Sequence, residues 1–250
     1  MSNITETQFD QLCNKCDFLL KHKLNTSYKI VNNWLHITHF RPTTLNQYHE
    51  VFKKSKLKFF FFLFKKSCFY FGTSLFRLIN SILKKENFKI DKIQYESIFV
   101  SHLLNQDSFD LNEDFYFYKL PKKFQDHNNR TLQVYINHTR INSNKFKNEK
   151  ASNSVDKLVL PEYISLPEEL KIQFSLLKEA IKMLKQKPSK EINSRIRIQA
   201  GIEFLSPASH FNARIGKQIK DLVKQSKAKY IFTTHEGHAY ERVIFSNARN

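Results

Sequence analysis

Glycine is scarce in this chain, with 4 in 250 residues. A phosphate-cradling loop needs glycines at fixed offsets so that the backbone can approach the anion. Neither GxGxxG nor GxxxxGK[ST] occurs, so any nucleotide bound here is held in another way. Cysteine is scarce too. Cys13, Cys16 and Cys68 cannot build a disulfide framework, and a reducing, cytoplasmic setting is the expectation. Cys13 and Cys16 form a CxxC, but no second ligand pair at zinc spacing accompanies it, and it lies inside an expected helix rather than at the start of one. Its expected role is structural. Acidic residues number 23 against 41 Lys and Arg, leaving a net charge of +18.

A charge of that size points to an anionic partner: a membrane surface, a phosphorylated substrate or nucleic acid. The lysines are scattered, as a compositional bias toward Lys, Asn, Ile and Phe would also produce. No recognition helix or RNP-like strand stands out, so no specific nucleic-acid partner is expected. Ser2 to Gln11 is mostly polar and carries acids, unlike a secretory leader.

Hydrophobic content of 41% and charged content of 26% fit a folded domain rather than a disordered one. Phe9, Leu12, Cys16 and Leu19 predict an opening helix over residues 9–23. Trp34 to Phe40 alternates, is bounded by Arg41-Pro42, and predicts a strand or an extended segment. Leu57 to Leu83 is Phe-rich, with Phe59 to Phe62 in one run. A spanning helix needs about 20 apolar residues, and Lys65-Lys66 with Arg77 interrupt this one. A core helix and an in-plane helix on anionic lipid both remain open, the second favoured by flanking lysines such as Lys54, Lys56 and Lys58.

Residues 1–94 therefore read as a mostly helical region, and 95–250 as an α/β domain. Ser97–His102 and Thr131–His138 are apolar runs of the kind that form buried parallel strands, and Lys229–His235 is a third. A short helix follows Pro121, and Asn142 to Asp156 reads as a polar loop. Leu166-Pro167 opens a helix running to Pro188 with Leu170, Phe174, Leu177, Ile181 and Leu184 on one stripe. Ser206-Pro207 opens another carrying Phe211, Ile215, Ile219, Leu222 and Val223. Strands alternating with helices predict a Rossmann-like parallel sheet with flanking helices. The last helix, beginning at Glu236 or Gly237, has no stop signal, and more protein is expected beyond Asn250.

Each strand ends in polar residues that include histidine: Ser101-His102, Asn137-His138-Thr139, and Thr234-His235-Glu236-Gly237-His238. Parallel sheets bind ligands at the carboxyl ends of their strands, so these residues are expected to converge. Glu236 and His238 sit at a helix start, where a carboxylate is stabilised and suits a general base, or simply caps the helix. HEGH lacks the histidine spacing of HExxH, so no metal is expected. Glu241-Arg242 reads as a local surface ion pair.

Thr234-His235-Glu236-Gly237-His238-Ala239-Tyr240-Glu241-Arg242, with Phe245 and Ala248-Arg249, resembles the T-[YF]-E-G-H-[AP]-W-E-R signature of bacterial surface-carbohydrate biosynthesis proteins. These are GT-B-like glycosyltransferases of capsule and O-antigen synthesis. Phe99-Val100-Ser101-His102-Leu103, the Asp114–Phe117 segment, Tyr135-Ile136-Asn137-His138-Thr139, Leu160-Pro161, Leu170 and Leu205-Ser206-Pro207 follow in the same order. His235 replaces an aromatic residue and Tyr240 the Trp. The resemblance covers about residues 97–250 and implies the amino-terminal, acceptor-side half of such an enzyme. It implies Glu236 or His238 as the base, with His102, Asn137, His138, Thr139, His235 and Arg242 contacting a glycan or lipid-linked acceptor near the inner membrane. No tightly bound cofactor is implied; the nucleotide-sugar donor would belong to a second, carboxyl-terminal domain. The alternative expectation is a non-catalytic basic domain on anionic membrane or lipid-linked phosphate, or an inactive remnant.

Overall fold

A computed structural model describes residues 5–22, 30–36, 48–84, 94–111, 113–127, 130–146, 155–185, 191–234 and 239–248. The helices are α1 (Glu6–His22), α2 (His49–Lys53), α3 (Lys56–Leu83), α4 (Asp107–Asp110), α5 (Leu120–Asp126), α6 (Leu166–Lys185), α7 (Glu191–Glu203), α8 (Pro207–Ser226) and α9 (Ala239–Ala248). The strands are β1 (Ser97–Leu103), β2 (Thr131–Asn137), β3 (Asp156–Val159) and β4 (Tyr230–Thr233). They form one sheet in the order β3-β2-β1-β4, with every pairing parallel. The fold is α/β and Rossmann-like, preceded by a helical region.

The chain divides into two compact units, one of Met1–Ile79, Pro167–Arg214 and Gly237–Val243, the other of Asn80–Leu166, Ile215–Glu236 and Ile244–Asn250. The second unit holds the sheet. β1 is buried along its whole length, as a central parallel strand covered on both faces must be. Phe99 anchors one face. Its ring stacks on Phe232 at 4.5 Å and meets Phe117 at 5.2 Å and Phe124 at 5.4 Å edge-on, the offset and T-shaped geometries that aromatic quadrupoles favour.

The expected polar loop to Asp156 ends in a strand instead. β3 is short and opens with two charged residues, which suits a sheet edge. Those charges are used: Tyr95 Oη donates to Asp156 Oδ2 at 2.9 Å, and Lys157 Nζ donates to the carbonyls of Phe109 and Leu111, each at 2.6 Å.

The first unit contains a helix that apolar periodicity did not reveal. α7 buries Arg197, Gln199 and Glu203 beside Ile196 and Ala200, so its inner face reads as mixed. Arg197 Nη1 donates to the carbonyls of Met183 and Leu184, the last turn of α6, where helix carbonyls lack partners and a cation is favoured. Arg195 Nη1 does the same for α2, reaching the Lys54 carbonyl at 2.6 Å. Glu203 accepts from Lys66, from Tyr70 Oη at 2.9 Å and from Gln199 Nε2 at 2.6 Å. Burial, then the Glu203 charge, pushes the Tyr70 phenol well above its usual range.

The alternation from Trp34 does not make a strand where it is described. Asn33–Leu35 is a single 3-10 turn; residues 37–40 lie outside the described residues. Asn32 is the cause. Its Oδ1 accepts from Trp34 N at 3.2 Å and its Nδ2 donates to the Ala200 carbonyl at 2.8 Å, a local turn that competes with extension. In α1, Cys16 is buried, and burial pushes both CxxC thiols upward, opposite to what a reactive pair requires.

In α3, Phe59, Leu63 and Tyr70 are buried while Leu57, Phe60, Phe61, Phe64, Phe71 and Leu75 are exposed. Of the stripe expected on α6, Leu170 is half-buried while Phe174, Leu177, Ile181 and Leu184 are exposed; the buried face is Ile172, Leu176, Ala180 and Met183 with Glu169 and Glu179. Among the described residues no helix is long and apolar enough to cross a membrane.

Candidate functional site

β1, β2 and β3 succeed one another toward one side of the sheet, and β4 returns to the other side of β1. The order therefore reverses between β1 and β4. In open α/β sheets that reversal opens a crevice at the carboxyl ends of the strands. Because all pairings are parallel, Leu103, Asn137 and Thr233 end their strands on the same edge.

Register explains which side chains meet there. His102 lies opposite Ile136, so His138, two residues further, falls on the same face as a diagonal neighbour. The ladder continues one step past β2, with His138 N donating to the Leu103 carbonyl at 3.0 Å. His102 Nδ1 lies 2.8 Å from His138 Nε2, with ring centroids 4.9 Å apart. His102 is buried and His138 exposed, so the pair runs from the sheet interior to its surface. The Tyr116 ring covers His102 at 5.3 Å.

Asn137 and Thr139 hold the loop beneath this pair. Asn137 Oδ1 accepts from Thr139 N at 3.0 Å and from Thr139 Oγ1 at 2.8 Å, and its Nδ2 donates to the Ile141 carbonyl at 2.7 Å. Ile141 N returns a bond to Thr139 Oγ1 at 3.1 Å. This closed turn of asparagine and threonine side chains onto local backbone is continued by Arg140 at φ 62°.

Sequence reasoning attached no role to a second cluster on the opposite face of the same edge. Asp114 Oδ1 accepts from Ser101 Oγ at 3.0 Å and from the backbone N–H of Tyr116 and Phe117, each at 2.8 Å. The turn it organises places Tyr116 beside His102 and carries Tyr118 at φ 52°, a left-handed conformation unusual for an aromatic residue. Asp114 Oδ2 and Tyr135 Oη are both buried without a hydrogen-bond partner among the described residues. Burial, then the Asp114 charge, pushes the Tyr135 phenol upward. The Asp-Phe-Tyr-Phe segment was visible in the sequence; its placement over Ser101 depends on chain reversal and was not.

The remaining predicted residues fall elsewhere. His235, Glu236 and His238 lie outside the described residues. Arg242, on α9 in the first unit, is engaged by His36, with Nη1 2.6 Å from Nδ1. Among the described residues no group of three or more His, Cys, Asp or Glu side chains could hold a metal ion. The chain matches no known protein family, no curated protein and no solved structure.

Proposed function

We propose that the sheet-bearing unit is the acceptor-binding half of a glycosyltransferase-like protein of surface-polysaccharide synthesis. The observation that carries this reading is the His102–His138 pair at the carboxyl edge, beside the strand-order reversal. A hydrogen bond between two neutral imidazoles uses one N–H and one lone pair. The second nitrogen of one ring is then an acceptor, and that of the other a donor. A sugar hydroxyl both donates and accepts, so it matches such a pair, and the shared hydrogen bond offers a path for one proton. In this reading Glu236 or His238 is the base that activates the acceptor hydroxyl, and a separate domain supplies the nucleotide-sugar donor.

The test is side-chain NMR of the chain labelled with 15N-histidine, titrated with a panel of oligosaccharides and with lipid-linked sugar phosphates. The expected result is a saturable shift of the His102 and His138 ring signals with at least one acceptor, lost in His138→Ala. Absence of any shift across the panel overturns the acceptor assignment. With a donor-binding partner present, Glu236→Gln is expected to abolish transfer and leave donor affinity unchanged. Normal transfer in that variant removes Glu236 from the mechanism.

A further inference from the structure

α3 carries a second apolar face besides the one that Phe59, Leu63 and Tyr70 bury. At 100° per residue, Leu57, Phe60, Phe61, Phe64, Phe71 and Leu75 fall within an arc of roughly 100°, and all of them are exposed. The inward face buries Phe59 and Leu63 and also carries polar anchors. Lys66 and Tyr70 bind Glu203, and the Ser74 carbonyl accepts from Gln173 Nε2 at 3.1 Å. Evolution of a solvent-facing helix places its apolar stripe against the fold, so an outward stripe implies that something other than water covers it. With each of these six exposed side chains contributing on the order of 100 Å², the stripe comes to about 600 Å², the upper end of the ~300–600 Å² of the largest patch on an ordinary monomer.

Through the Gln173–Ser74 contact, α3 meets α6, whose outward stripe is Phe174, Leu177, Ile181 and Leu184. The fully exposed charges on both helices are cationic, and the one acid not buried, Glu168 in the first turn of α6, is half-buried. α3 contains no acidic residue and exposes Lys56, Lys58 and Lys65. α6 exposes Lys171, Lys178, Lys182 and Lys185, while Glu169 and Glu179 are buried. Lys65 lies over the Phe61 ring with Nζ 4.7 Å from its centroid, its stem along the apolar surface and its charge at the rim, as snorkelling lysines sit at lipid interfaces.

We propose that the outward faces of α3 and α6 dock on an anionic lipid bilayer, with α3 lying in the interface plane. Charge selects this occupant. Seven exposed lysines against one half-buried acid, Glu168, repel a second copy of the same face and are attracted by anionic headgroups. No described helix is long and apolar enough to cross, and the buried side of α3, with Phe59, Leu63 and Tyr70, keeps one flank against protein. The proposal does not rest on the sheet-edge reading and survives its failure.

The test is vesicle flotation of the full chain on phosphatidylcholine alone and on phosphatidylcholine containing phosphatidylglycerol, at low and high salt. Binding is expected on the anionic vesicles, weakened by salt. The triple substitution Phe60→Ser, Phe64→Ser, Phe71→Ser should lower it about tenfold or more while circular dichroism and melting stay unchanged, because these rings are exposed. Lys65→Glu, Lys171→Glu, Lys178→Glu should abolish the salt-sensitive part. Failure to float on anionic vesicles overturns the proposal, as does flotation unaffected by the Phe substitutions. A concentration-dependent dimer without lipid that the Phe substitutions dissolve also overturns it, in favour of a second copy as the occupant.

Discussion

His36 makes the first unit sensitive to mild acid, and the size of the effect follows from its two contacts. Its Nε2 lies 2.8 Å from the Ile30 carbonyl, which only accepts, so Nε2 must carry the proton. Its Nδ1 faces Arg242 Nη1, which only donates, so Nδ1 must be a lone pair. The ring is thus held neutral, and a second proton would be placed against a guanidinium in a buried site. Burial first, and the Arg242 charge second, lower its pKa from 6.5 to about 4.

Above pH 6.5 the folded and unfolded chains both carry a neutral ring, and the site is without effect on the pH dependence of stability. Below that, the unfolded chain takes up a proton that the folded chain refuses, so stability is lost as pH falls, until the folded ring also protonates near pH 4. Linkage puts the loss between pH 7.5 and pH 5 at about 2 kcal/mol. Trp34 is the lone tryptophan, is buried, and belongs to the same unit, so urea unfolding followed by its fluorescence reads this site. The wild type should lose about 2 kcal/mol more over that interval than His36→Gln, which cannot titrate. Arg242→Gln should keep most of the effect, because burial is the larger cause. Parallel pH profiles for wild type and His36→Gln would refute the assignment of a neutral, buried ring.

Phe99→Ala removes a fully buried ring that touches Phe117, Phe124 and Phe232; a loss of about 3–5 kcal/mol is expected, read as a lower urea midpoint by far-UV circular dichroism. Tyr70→Phe deletes one of the donors to buried Glu203 while Lys66 and Gln199 remain; it should cost about 1–3 kcal/mol by Trp34 fluorescence, and an unchanged midpoint would mean that Glu203 does not depend on the phenol.

How much of this was legible in the sequence depends on whether a signal was carried by one segment or by several. β1 and β2 were legible because strands buried on both faces are continuous apolar runs, and β4, a half-buried edge strand, because Tyr230-Ile231-Phe232 is such a run as well. α1 and α8 were legible because their stripes, including Leu12, Cys16 and Leu19, and Ile215, Ile219 and Leu222, do turn inward and are buried. α7 was not legible, because Arg197, Gln199 and Glu203, buried through ion pairs and carbonyl capping, share the inner face with Ile196 and Ala200 and leave only a short apolar stripe. β3 was not, because an edge strand of four residues gains its stability from Tyr95, Phe109 and Leu111, partners far away in the chain. The same division holds at the sheet edge. His102 and His138 were found because each follows a recognisable strand, and parallel order brings strand ends together. Asp114 and Tyr135 were not, because their approach depends on a turn and on which face each strand residue occupies.

The outward stripes of α3 and α6 mark a sharper limit. Periodicity measures whether apolar residues share a face, and it has the same value whichever way that face points. What distinguishes the two orientations is the chemistry of the opposite face. On α3, Lys66 and Tyr70 sit beside buried Phe59 and Leu63, and on α6 Glu169 and Glu179 sit among buried Ile172, Leu176 and Met183; polar groups placed on such an inward face must find partners in the fold. Lys66 and Tyr70 find Glu203, and Glu169 finds His210, with Nε2 2.6 Å from Oε1. Burial holds that imidazole below its usual pKa in spite of Glu169, and although burial raises the carboxyl, its bonds to His210 and Gln173 leave it below its usual range, so the ionised group is the acid. A buried charge costs several kcal/mol unless it is bonded in this way. The sequence rule that follows is to ask of every strongly amphipathic helix whether its polar residues have opposite-charge partners on other buried helices. Where they do, as Lys66 has in Glu203, the apolar stripe is the face left for a partner.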